Sequence, residues 1–359
     1  MKKILPILLS IILTACNTSA ASYTVGPNKS ESIEIVSTYF TGKADENANE
    51  TPSNTTTPYS AHGKLSVSNG DLTDQNGKPF QLYGMSTHGI AWFPQYVNYD
   101  AFKTLRDDWN TNCVRLSLYS DEYNGYSTGG NKTELKAYVK QGIDYATELG
   151  MYVIVDWHIL NDQNPNLHKA DAIEFFTDIS SAYKNNGNIL YEICNEPNGA
   201  TTWDDIKSYA NEVIPIIRAN SPDSIIIVGT PFWSQEIDKP LSSPLSYSNV
   251  MYTLHFYADT HRDDLRNLLS ECKSKNLPVF ISEFGMCDSS GNGSKNFDEM
   301  NKWKQLIDKY NLSYMCWNLS NKNETCAVIA PNCNKTSNWS DGELSEAGRW
   351  IKSCFKAES

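Results

Sequence analysis

The stretch Thr133-Glu-Leu-Lys-Ala-Tyr-Val-Lys-Gln-Gly-Ile-Asp-Tyr-Ala-Thr-Glu-Leu-Gly-Met-Tyr-Val-Ile-Val-Asp-Trp-His158 contains one complete helix-to-strand unit. Leu135, Tyr138, Val139, Ile143 and Ala146 recur at three- and four-residue spacing, so residues 133–149 read as a helix with one apolar face. Gly150 follows, the residue type that closes a helix in the left-handed conformation. Met151 to Val155 is then a short unbroken apolar run rich in β-branched residues, the pattern of a strand covered on both faces. It stops at Asp156-Trp157-His158, which puts polar groups at the C-terminal end of a strand.

The unit repeats. Apolar runs begin near residues 80, 113, 151, 188, 224, 250, 278 and 313, separated by longer helix-patterned segments. Eight such units in about 300 residues have the size and rhythm of a (β/α)8 TIM barrel. A doubly wound sheet is the alternative, but no Gly-rich phosphate turn follows the first run. Ahead of the barrel, residues 64–79 carry two Asn-Gly pairs between short alternating runs, which predicts a small N-terminal β-hairpin element. The barrel domain is therefore expected over residues 63–359.

The 359 residues are 40% hydrophobic, enough for one large core, and carry a net charge of −12. No basic cluster exists beyond Lys2-Lys3, which argues against nucleic acid and favours a neutral partner over a polyanion. Lys2-Lys3 followed by the apolar Ile4–Leu13 reads as a targeting segment. Leu13-Thr14-Ala15-Cys16 resembles the lipobox of bacterial lipoproteins. That resemblance implies a signal peptide over 1–16, a lipid on Cys16, and an outer-membrane or cell-surface protein. Cleavage after Ala20 or Ala21, giving a free secreted protein, is the competing reading. Residues 17–62 are Asn/Ser/Thr-rich and read as a flexible tether, apart from the strand-like Ser32–Phe40. Cys113, Cys194 and Cys316 read as small buried hydrophobes, whereas Cys326 and Cys333 sit close together in a loop and could pair.

The residues at the ends of the runs carry the chemistry. Run one ends in Ser86-Thr87-His88-Gly89, run two holds Arg115, and run three gives Asp156-Trp157-His158. Run four leads into Asn195-Glu196, run six into His255-Phe256-Tyr257, run seven into Glu283, and run eight into Trp317-Asn318. In a barrel these groups share one rim, and packing alone gives no reason to collect them there. Two carboxylates facing one another suit acetal hydrolysis: one protonates the departing oxygen while the other attacks carbon or activates water. Glu196 as the acid must hold its proton; Glu283 as the nucleophile must be ionised, with Arg115 and Tyr257 the candidates to keep it so. Asn195 is a candidate donor to the sugar 2-hydroxyl, His255 can orient either carboxylate, and Trp92 and Trp317 offer faces for stacking. Glu192 reads as structural and deeper in the barrel, with Arg115 as its candidate partner.

From about residue 63 onward the chain resembles family 5 glycoside hydrolases of the bacterial endoglucanase type. The resemblance rests on Tyr83-Gly-Met-Ser-Thr-His-Gly, Val153-Ile-Val-Asp-Trp-His-Ile-Leu-Asn-Asp and Leu190-Tyr-Glu-Ile-Cys-Asn-Glu-Pro-Asn-Gly. It continues through Tyr252-Thr-Leu-His-Phe-Tyr-Ala, Val279-Phe-Ile-Ser-Glu-Phe-Gly and Trp317-Asn-Leu-Ser-Asn-Lys-Asn-Glu-Thr. It implies Glu196 as acid/base, Glu283 as nucleophile, and Arg115, His158, Asn195, His255 and Tyr257 around them. It further implies glycone-side sugar contacts from His88, Trp92, Trp317, Lys322 and Glu324, and an aglycone-side platform at Trp233. Phe284 departs from the pattern, where the nucleophile is often followed by Trp. The expected function is a retaining endo-β-1,4-glucanase, monomeric, with a β-glucan substrate and no cofactor. The rivals are another retaining β-glycanase acting on mannan, xyloglucan or mixed-linkage glucan, and a non-catalytic glycan-binding surface lipoprotein. A metal hydrolase built on His88, His158 and His255 lacks any supporting ligand spacing.

Overall fold

The computed structural model describes residues 56–358. The targeting segment, Cys16 and the Ser32–Phe40 stretch lie outside the described residues. Helix α1 (Pro58–His62) comes first, closed at its start by a reciprocal Thr57–Ser60 capping box. Tyr59 donates its backbone N–H to the Gly150 carbonyl at 2.8 Å, and its ring meets Tyr152 edge-on. The folded body therefore begins before residue 63, within the segment that composition assigns to the tether. Composition misses this because one capped turn needs only two side chains and one aromatic contact.

Strands β1 (Ser66–Ser68) and β2 (Asp71–Thr73) form the hairpin, with Asn69 and Gly70 both at positive φ in its two-residue turn. The barrel then alternates β3 (Tyr83–Thr87), α2 (Tyr99–Asp107), β4 (Cys113–Tyr119), α3 (Lys132–Glu148), β5 (Tyr152–His158), α4 (Lys169–Ala182) and β6 (Ile189–Glu192). It continues with α5 (Trp203–Asn220), β7 (Ile226–Val228), the short turn α6 (Pro231–Ser234), α7 (Asp238–Ser242), β8 (Val250–Tyr257) and α8 (Asp263–Ser274). The last elements are β9 (Val279–Gly285), α9 (Phe297–Lys309), β10 (Tyr314–Leu319) and α10 (Glu346–Ala357). The eight parallel strands close in the order β10-β3-β4-β5-β6-β7-β8-β9, a (β/α)8 barrel. Each expected run supplies one strand. Asn98, Asn131, Thr202, Asn296 and Ser345 cap their helices by accepting a backbone N–H of the first turn.

Side-chain alternation along the strands builds a two-storey interior. Val114, Leu116, Leu118, Val153, Val155 and Trp157 point out to the helices. The lower interior is apolar, with Leu82, Cys113, Ile154, Leu190, Ile227, Met251, Phe280 and Met315 packed together above Leu65 and Leu72. The upper interior is charged and polar: Arg115, Ser117, Asp156, Glu192, Thr253, His255 and Ser282 are all buried there.

Two strands break the register: β10 carries one extra residue against β3 between Cys316 and Leu319, and β9 carries the one that bears on the site. Strand β8 pairs Thr253 with Phe280 and then His255 with Glu283, so β9 carries one extra residue. Its pairing with β10 shows the same insertion, from Tyr314–Ile281 to Cys316–Phe284. This bulge turns both Ser282 and Glu283 inward and returns Phe284 to the outer layer, against Phe256 and Tyr314. Without it Glu283 would face the helices.

Candidate active site

Arg115 is the hub of the upper barrel. It is fully buried, and its guanidinium grips Glu192 by two bonds of 2.7 and 3.1 Å. The same group reaches Asp156 at 3.0 Å and Glu283 at 3.3 Å, and it donates to the Asn195 side-chain oxygen at 2.6 Å. Three carboxylates around one guanidinium leave an excess of negative charge in a buried site, and burial pushes each of them upward, Asp156 to about 7.

The two glutamates differ in what touches them. Glu283 Oε1 accepts the Tyr257 hydroxyl at 2.7 Å, and Oε2 accepts from Arg115, so the donors around it favour its ionised form. Glu196, on the loop after β6, is 9% exposed and meets His255 Nδ1 at 2.8 Å. Burial raises its carboxyl to about 8, helped by Asp156 and Glu192 and opposed by Arg115.

A hydrogen-bond chain fixes where that proton sits. Glu192 is held as a carboxylate by Arg115, so the Ser282 hydroxyl, 2.7 Å away, donates to it. The Ser282 oxygen then accepts from His255 Nε2 at 2.9 Å, which puts the ring proton on Nε2. Burial holds His255 at about 4, so the ring is neutral and Nδ1 is a lone pair. Glu196 can meet that lone pair only as a donor, in its protonated form. A carboxyl that donates to His255 and one that accepts from Arg115 and Tyr257 thus stand side by side, with oxygens of Glu196 and Glu283 within 4.8 Å of one another.

His158 and Asn195 brace this floor. His158 Nδ1 lies 2.6 Å from Asp156, and its Nε2 takes an N–H of Asn195 at 3.2 Å. The Asn195 amide donates also to the Ile159 carbonyl, so this group, expected to donate to a sugar hydroxyl, is engaged as a strut. Both ring nitrogens of His158 and of His255 lie against protein partners. Glu196, His255 and Glu283 do form a metal-capable grouping by distance. Zinc ligands at about 2.1 Å from an ion would stand apart from each other, whereas Glu196 and His255 are bonded directly.

The cleft above holds about 810 Å³. Along one wall the His88 ring lies between Trp92, Phe93 and Trp317, and Trp317 stacks on His158 with ring centroids 5.2 Å apart. Lys322 pairs with Glu324 at 2.6 Å and approaches His88 at 3.2 Å. Across the cleft Trp233 is 38% exposed beside Phe232, edge-to-face at 5.0 Å. Every expected site residue in the described chain therefore lines the cleft or supports the groups that do. Sequence reading missed Tyr119, Phe232 and Ser282. Tyr119 ends the second run and could have been found there; the inward turn of Ser282 depends on the β9 bulge, which no periodicity shows.

The cysteine pairing differs from expectation. Cys326 bonds Cys287 rather than Cys333, which is buried and free. Cys287 and Cys326 follow the adjacent strands β9 and β10, whose rim loops run side by side; Cys333 lies seven residues beyond Cys326, in a different part of the same loop.

Comparison with known proteins accords with this geometry. Residues 73–323 match the family model "Cellulase (glycosyl hydrolase family 5)". The chain is 48% identical over 293 residues to endoglucanase A of Butyrivibrio fibrisolvens, covering 81% of this chain and 68% of that protein. It is 45% identical to an endoglucanase of Clostridium saccharobutylicum over 81% of this chain and 64% of that one, so it spans about two thirds of these relatives' length. Among solved structures, the catalytic domain of Thermobifida fusca endoglucanase Cel5A superposes with a TM-score of 0.80 at 40% identity, over 84% of this chain and 99% of that domain. A barrel with this rim, matched at this identity across its catalytic segment, belongs to the cellulase family, glycosyl hydrolase family 5.

Proposed function

We propose that the protein is a retaining endo-β-1,4-glucanase that cleaves internal β-1,4-glucosidic bonds by double displacement. Glu283 attacks the anomeric carbon while Glu196 protonates the leaving oxygen; Glu196 then serves as base for the water that releases the glycosyl-enzyme. The observation that carries the reading is the pair itself: two carboxyl groups with oxygens within 4.8 Å, Glu196 against His255 and Glu283 held by Arg115 and Tyr257. Inverting enzymes separate their carboxyls by about 6.5–9.5 Å to admit a water, and oxygens within 4.8 Å of one another favour the closer, retaining arrangement. Platforms on both sides of the pair support binding at internal positions of a chain, with Trp92, Trp317, Lys322 and Glu324 toward the glycone and Trp233 toward the aglycone. A related Thermobifida fusca catalytic domain, 39% identical, is known in complex with cellotetraose, which supports a β-glucan substrate.

Viscosity and reducing-end assays over carboxymethylcellulose, mixed-linkage glucan, β-mannan and xylan test the substrate. Fast viscosity loss on the first with β-anomeric product by NMR is expected; α product, or activity confined to mannan or xylan, overturns the reading. Glu196→Gln should lose natural glycans yet keep activated aryl glycosides, and Glu283→Gln should lose both. We further propose a lipid on Cys16, tested by labelling with a palmitate analogue: equal labelling of a Cys16→Ser chain would refute it.

A further inference from the structure

Three consecutive non-glycine residues in turn α6 stand in the left-handed region: Phe232 at φ 58°, Trp233 at 55° and Ser234 at 56°. Side chains disfavour that region, and a run of three persists only where surrounding contacts over-determine it. The contacts here all lead to one place. Trp233 donates its N–H to the Pro197 carbonyl at 2.9 Å, and the Ser234 hydroxyl donates to the Asn195 carbonyl at 2.6 Å. The turn is thus fastened to the residue on each side of Glu196. Ser234 is fully buried, and its oxygen also accepts the Thr230 N–H at 3.3 Å. Just below, Gly229 donates to the Cys194 carbonyl at 3.0 Å, and a Cβ on Gly229 would meet that oxygen at 2.4 Å. Close seating of β7 against the Glu196 loop therefore requires glycine. What the strained turn presents to the cleft is the half-exposed Phe232 and Trp233 pair.

We propose that Ser234 is a positioning residue that locks the Phe232–Trp233 platform to the backbone carrying Glu196, so that a bound leaving-group sugar and the acid that protonates it share one rigid frame. Phe232 is the edge-on buttress that keeps the Trp233 face turned into the cleft. The inference rests on the endoglucanase reading and deepens it on the aglycone side. Substrates whose leaving group reaches the platform depend on the lock, whereas a leaving group too small to reach it does not.

The test compares cellopentaose with β-cellobiosyl fluoride, whose fluoride cannot touch Trp233, in wild type, Ser234→Ala, Trp233→Ala and the double variant. Ser234→Ala keeps a Cβ at the same φ and removes only the hydroxyl. Misplacement of a bound group by about 1 Å costs on the order of 100-fold, so the ratio of kcat/KM on cellopentaose to that on the fluoride should fall about 10- to 100-fold. In the Trp233→Ala background the hydroxyl deletion should change that ratio less than about twofold, because the two act as one unit. An unchanged ratio, or effects that multiply in the double variant, overturns the proposal. If Ser234→Ala does not fold, Ser234→Gly removes the same hydroxyl while relieving the backbone, and carries the same expectation. A wild-type enzyme that fails to cleave cellopentaose would refute the endoglucanase reading itself; normal cleavage with an unmoved ratio would refute only the lock.

Discussion

Ser282→Ala removes one hydroxyl and should move the pH profile without altering Glu196 or Glu283 themselves. In the folded protein that hydroxyl donates to Glu192 at 2.7 Å and accepts from His255 Nε2 at 2.9 Å, so it selects the ring tautomer whose Nδ1 lone pair faces Glu196. Without it, Nε2 loses its acceptor, and the alternative tautomer, with the proton on Nδ1, donates to an ionised Glu196 instead. The charged form of Glu196 gains what the protonated form loses, so its pKa falls from about 8. A neutral buried hydrogen bond contributes about 0.5–1.5 kcal/mol net, and 1.36 kcal/mol corresponds to one pH unit. The alkaline limb of kcat/KM should therefore drop by about half to one pH unit. Arg115 from β4, Asp156 from β5, Thr253 and Tyr257 from β8 and Glu283 from β9 remain in place; Glu192 from β6 loses one donor, which favours its neutral form and lowers the Glu196 pKa in the same direction as the histidine. The sign follows from the acid's role: activity is present while Glu196 is protonated and is lost as pH rises through its pKa. The assay is kcat/KM on cellopentaose from pH 5 to 10, with melting curves to separate instability from titration. A limb that stays put, or moves to higher pH, would show that Ser282 does not set the tautomer.

Three further outcomes are expected. Trp317→Ala should lower kcat as well as raise KM, because a sugar held against the His158-stacked indole is positioned for reaction, whereas Trp92→Ala should act mainly on KM; cello-oligomer kinetics with wild-type kcat/KM in either variant would make that Trp structural. Breaking the Cys287–Cys326 bond by a double Ser substitution opens a loop of 39 residues, for which chain entropy gives about 4 kcal/mol of lost stability; a melting temperature within a few degrees of wild type would contradict it. Arg115→Ala leaves Asp156, Glu192 and Glu283 crowded without their shared cation, so it should destabilise by about 3–5 kcal/mol and abolish activity, measured by urea unfolding and hydrolysis of an activated aryl glycoside.

Much of the architecture is written locally. An unbroken apolar run such as Met151–Val155 after a capped amphipathic helix can only be a buried parallel strand, and eight of them in this rhythm close a barrel. The rim residues follow from that closure, because C-terminal strand ends meet at one face whatever lies between them. Arg115, Asp156, His158, Glu196, His255 and Glu283 were legible on that basis, as was the partnership of Arg115 with Glu192. Other features depend on contacts between segments far apart in the chain. The bulge that turns Ser282 and Glu283 to the same side is a mismatch between β9 and both of its neighbours, and no single strand records it. The His255 tautomer is set by a serine that reaches it only through that bulge. The left-handed run at Phe232–Ser234 contradicts its own residues' preferences and stands because Asn195 and Pro197 hold it from outside. Cys326 finds Cys287 rather than Cys333 because barrel closure brings the loops after β9 and β10 together. The sequence by itself determined the periodic elements and which ends would meet, since those obey short-range patterns; the tertiary structure alone decided strand parity, proton placement, strain and cross-linking, since each is fixed by partners that adjoin only after the chain has closed.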